Sequence, residues 1–84
     1  MNEKEAYRYF VMSAKDSFLG LNPELSDEEV KGYFSKATKY LNSMFKSALE
    51  EYERGNITEE VLRDGSGRSA GYCMGLCYDT PMDD

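Results

Sequence analysis

The sequence predicts an all-α fold: a long antiparallel helical hairpin, a short third helix and a packed C-terminal tail. Three observations carry this expectation. Apolar residues recur at steps of three and four, the period of a helix with one buried face. Ser26-Asp27-Glu28-Glu29 has the form of a capping box. Helix stop signals, Gly20 with Pro23 and then Gly55, stand where the periodic stretches end.

The first helix is expected over residues 3–19, where Tyr7, Phe10, Val11, Ala14 and Phe18 form one apolar stripe. Glu3 and Glu5 fall in its first turn, where the helix dipole favours acids. The second is expected over residues 27–54, with Ser26 as N-cap, Glu29 as its partner, and Leu25 and Val30 as a hydrophobic staple. Val30, Phe34, Ala37, Leu41, Met44 and Ala48 follow alternating steps of four and three, a heptad-like seam. Gly32 is its one weak point, at a cost of about 1 kcal/mol relative to Ala. A short third helix over residues 59–64 takes Thr58 as cap and Ile57 with Leu62 as staple. Gly65-Ser66-Gly67-Arg68-Ser69 reads as a flexible linker, and residues 70–84 as an apolar and acidic tail.

Helix lengths then raise a packing problem. At 1.5 Å per residue the first helix spans about 25 Å and the second about 42 Å. The first covers only half of the second, leaving Met44, Phe45, Leu49 and Tyr52 uncovered. Tyr72, Met74, Leu76 and Tyr78 of the tail can cover them, within the chain or from a second copy. These eight residues are the candidate interface, and a homo-oligomer is expected.

At 84 residues the chain makes one small domain with a marginal core. A net charge of −6 argues against general nucleic-acid binding, which needs a basic surface. No apolar run approaches the roughly 20 residues of a membrane span. The opening MNEKEAYRYF lacks a signal-peptide core, so a cytoplasmic protein with reduced thiols is expected.

The absence of histidine removes the commonest general base and metal ligand. Glutamates cluster at helix ends, as solvated groups do, and no nucleophile–base pair is visible. Catalytic residues, metal sites and cofactors are therefore not expected. Cys73 and Cys77 supply two thiols, whereas structural zinc takes four ligands, so only a dimer could complete such a site. On a helix the pair would share a face; both are expected as small buried hydrophobes. Between Val30 and Leu49 there is no acid but four lysines. Lys36, Lys39 and Lys46, with Tyr40 for stacking, form a candidate site for an anionic ligand such as a nucleotide.

The function expected is that of a non-enzymatic helical interaction protein. It would bind a partner protein or other macromolecule and modulate it, chiefly by inhibition, as phage-encoded accessory regulators do. The alternatives are an oligomer that sequesters an anionic small ligand and a structural assembly subunit.

Overall fold

The computed structural model describes residues 1–78, and among these every regular element is helical. Helix α1 is Glu3–Leu21, α2 is Asp27–Lys36, α3 is Thr38–Glu53 and α4 is Ser66–Leu76. A π-helical turn, Val61–Gly65, leads directly into α4. The all-α class stands.

Helix α1 starts at Asn2, whose side chain accepts the Glu5 N–H at 3.1 Å. The capping box of α2 forms as expected. Ser26 Oγ accepts the Glu29 N–H at 3.2 Å, and Glu29 Oε1 accepts the Ser26 N–H at 2.9 Å. The two bonds satisfy donors that the helix itself leaves unpaired.

The single long helix expected over residues 27–54 is instead two, bent at Ala37 (φ −91°, ψ 8°). No glycine or proline causes the bend. The Thr38 hydroxyl donates to the carbonyls of Ser35 at 3.0 Å and Phe34 at 3.3 Å. A hydroxyl bonded back onto the preceding turn competes with the amide ladder and bends the helix. The ladder is bridged across the bend by Ala37 N–H to Tyr33 O and Leu41 N–H to Ala37 O.

Aromatic pairs fix the antiparallel hairpin. Near the start of α1, Tyr7 and Phe10 meet Phe45 of α3 edge-on, with centroids 5.2 and 5.3 Å apart. Near its end, Phe18 meets Phe34 edge-on at 5.4 Å and stacks on Tyr33 at 5.2 Å. Such pairs add about 0.5–1.5 kcal/mol each beyond burial. The bend lets α1 follow both halves of its partner, so Phe45 lies within reach of α1, contrary to the length argument.

The linker expected at residues 65–69 is helix. The helical path begins at residue 59, widens at the π turn and continues to Leu76. The Ser66 N–H bonds Val61 O, five residues back, which marks the wide turn. Leu62 and Gly67 are both buried although five residues apart. On a regular helix they would point about 140° apart; the extra residue in the turn brings them to one side.

Helix α4 runs parallel to α1 and packs on it through Gly67, Gly71 and Gly75, four residues apart. A Cβ on Gly67 would lie 2.4 Å from Phe10 O, and one on Gly71 would lie 2.0 Å from Ala14 O. Only glycine lets the two backbones approach so closely. Gly75 lies under Leu21, and Gly75 O accepts the Asn22 side-chain amide at 3.2 Å. Gly67, expected in a flexible linker, is thus part of the contact surface.

One core runs through all the elements: Ala6, Phe10, Ala14 and Phe18, then Val30, Phe34, Ala37, Leu41 and Phe45, then Leu62, Ala70 and Met74. The tail of the sequence reading is α4 and Tyr78, whose ring lies 5.7 Å from Phe18 and 5.1 Å from Tyr33. Residues 79–84 of that tail lie outside the described residues.

Candidate functional site

The eight expected interface residues divide by burial. Phe45 and Met74 sit in the core and face no partner. Met44, Leu49, Tyr52 and Tyr78 are half-buried and pack against that core. Tyr72 and Leu76 stand exposed on the outer face of α4, at 51% and 60%. They flank Gly75, the residue Leu21 covers, and Leu21 is itself 40% exposed. Three large apolar side chains are therefore exposed near the ends of α1 and α4, two helices in backbone contact. The half of α3 expected to need a second copy is covered by α1, the π turn and α4 of the same chain.

Lys36, Lys39 and Lys46 are exposed. Tyr40 is half-buried and lies beside Cys73. Burial, then Cys73, Cys77 and Tyr33, push its ionisation above the usual tyrosine value. Tyr33 is shifted the same way by burial and by Cys77 and Tyr78. Cys73 and Cys77 are both exposed, which overturns their expected burial. The glycine-lined register of α4 turns them outward: Gly67, Gly71 and Met74 take the buried side.

Two different lysines do line a groove. Lys15 and Lys31 rise beside a floor of Phe34, Leu41, Val11 and Tyr7, with Ser35 and Thr38 at the edge, around about 310 Å³. Lys15 Nζ lies 5.8 Å from the Phe34 ring centroid. Neither lysine enters an ion pair among the described residues. Sequence reading singled out the lysines of α2 and α3 by helical spacing. Lys15 could not be paired with Lys31 without knowing how α1 lies on α2.

A second depression, of about 290 Å³, lies at the π turn between Tyr9, Ser13, Glu60, Arg63 and Asp64. Ser13 Oγ donates to Asp64 Oδ1 at 2.9 Å, and Arg68 Nε reaches both Asp64 oxygens at 3.2 and 3.3 Å. Arg63 lies over the Tyr9 ring at 5.2 Å and 3.7 Å from Glu59. Arg63 and Arg68 each pair with one acid, while Glu60 enters no ion pair among the described residues, so the surroundings of the depression stay net negative.

Among the described residues no three His, Cys, Asp or Glu side chains come together as a metal cluster, and no helix is long and apolar enough to cross a membrane. No protein-family model, curated protein or solved structure matches the chain.

Proposed function

We propose that the protein is a small non-enzymatic interaction module that binds a partner macromolecule and inhibits it by occupying its surface, as accessory regulators encoded by phages do. The observation that supports this reading is the exposure of Leu21, Tyr72 and Leu76 near the ends of two packed helices, α1 and α4. Isolated apolar residues on a surface are ordinary, but several of them on one rigid support have the character of a docking site. Rigidity matters because a preformed surface loses little conformational freedom on binding. An acidic chain of this kind favours a partner with a basic rim around an apolar centre.

The test is capture from bacterial host lysate on the immobilised protein, compared with the Tyr72→Ser, Leu76→Asp double variant. The wild type should retain a defined partner. The variant should lose it about tenfold or more, the cost of removing a central anchor, with unchanged far-UV circular dichroism. Equal capture by both proteins, or none by either, contradicts the reading.

A second reading has support in the groove between Lys15 and Lys31. Two unpaired cations over an apolar floor suit an amphipathic anion, with an apolar body below and a carboxylate or phosphate between the ammonium groups. Thermal shift against a panel of nucleotides and aryl or alkyl carboxylates tests it, since binding stabilises the folded state by mass action. A shift abolished by Lys15→Glu with Lys31→Glu supports the groove; a shift that survives both excludes it.

A further inference from the structure

We propose that Cys73 and Cys77 form a two-thiolate site for a single soft monovalent cation, Cu(I), on the last turn of α4. The placement comes first. The two residues are four apart on one helix, both exposed and neither in a disulfide. Side chains at that spacing start about 5–6 Å apart, so both sulfurs can turn toward one ion held between them. Cys77 is the C-cap, with its N–H on Cys73 O at 3.1 Å, so the turn that carries both thiols is closed.

The donor set selects the ion. Without a third His, Cys, Asp or Glu beside them among the described residues, one chain cannot complete the four-ligand shell that zinc takes in structural sites. Calcium and magnesium want oxygen ligands in larger number. Two soft sulfurs suit Cu(I), which is content with two thiolates in a linear arrangement. The free carbonyls at a helix C-terminus carry partial negative charge and the chain as a whole carries a net charge of −6, so the positive charge of Cu(I) is needed there to offset one of the two thiolate charges. Tyr40 lies beside Cys73, so its hydroxyl can donate to the sulfur once the metal is bound, as outer-sphere donors do.

The reaction is an exchange without redox change. Each S–H gives up its proton to solvent and each sulfur forms one bond to copper, so one Cu(I) and two thiols yield a bis-thiolate carrying one negative charge and two released protons. Affinity should therefore rise with pH.

Anaerobic titration of the reduced full chain with Cu(I) against a chromophoric Cu(I) chelator tests the site. The expected result is one tightly held Cu(I) per chain, at the mass of a monomer, with an ultraviolet sulfur-to-copper charge-transfer band. Cys73→Ser and Cys77→Ser should each lose the band and at least about a hundredfold in affinity, the upper end of what a disrupted metal site loses even when a ligand's support alone is removed. Their circular dichroism should match the wild type, because both side chains are exposed. Copper retained by the double serine variant, no copper won from the chelator, or one ion shared by two chains each overturns the proposal.

Discussion

Gly71 lies against the backbone of Ala14, and an alanine there tests the α1–α4 contact directly. The added Cβ would sit 2.0 Å from Ala14 O and 2.7 Å from Ala14 C and Cα. To reach an ordinary contact of 3.4 Å the helices must part locally by roughly 1.4 Å. No rotamer change relieves this, because the obstacle is main chain. Parting the helices would also loosen Ala70, Met74 and Phe10, all buried at the same seam. Overpacking costs about 1–3 kcal/mol, and a backbone obstacle belongs at the upper end of that range. Replacing glycine by alanine in a helix returns about 1 kcal/mol. The net loss is about 2 kcal/mol, or about 8–16 °C in Tm for a domain of this size. Gly32→Ala is the control: it makes the same chemical change in α2, where nothing lies within 4 Å. It should gain about 0.5–1 kcal/mol and melt a few degrees higher. Thermal and urea unfolding followed by far-UV circular dichroism measure both. Gly71→Ala melting at or above the wild type, or both variants shifting the same way, would refute the close contact.

The remaining predictions concern other parts of the fold. Leu62→Ala, at a fully buried site on the π turn, should cost about 2–5 kcal/mol in urea unfolding. Ser26→Ala should cost about 1 kcal/mol by breaking the capping box of α2. Tyr7, Tyr33 and Tyr40 are held above the usual tyrosine value of 10.0, each chiefly by burial. In the unfolded chain they would ionise near that value, so the folded state keeps its protons longer. Their contribution is complete below pH 10 and is lost as pH rises through the folded values. Phenolate absorbance should show these three of the seven tyrosines titrating late, and stability should fall above pH 10. Three single Tyr→Phe variants that leave the late phase intact would contradict that assignment.

Local helix grammar was legible in the sequence. The Ser26 capping box and the Phe10–Phe18 stripe depend on residues within a turn or two of each other, whereas α1 runs through the expected stop at Gly20 to Leu21 and is capped by Asn22. Two features were not legible, for different reasons. The bend at Ala37 comes from the Thr38 hydroxyl, which bonds backward here but is equally at ease in solvent on a straight helix. Gly65 to Gly67 reads as a linker because glycine weakens an isolated helix. Its presence in the helix depends on α1, and the spacing Gly67, Gly71, Gly75 was the one signal that two backbones could meet there. Register follows from that contact. It buries Met74 and turns Cys73 and Cys77 outward, the reverse of what their apolar character implies. The groove lysines needed the same long-range information, since Lys15 and Lys31 belong to different helices.

The central claim is that the C-terminal helix closes on α1 within one chain and so builds the outer face that carries both the exposed apolar residues and the thiol pair. Nuclear Overhauser contacts between Gly71 Hα and Ala14 test it, recorded on a uniformly labelled sample and on a mixture of labelled and unlabelled chains. Strong contacts are expected in the first sample and none between chains in the second. Contacts that are missing, or that arise only between labelled and unlabelled chains, would contradict it.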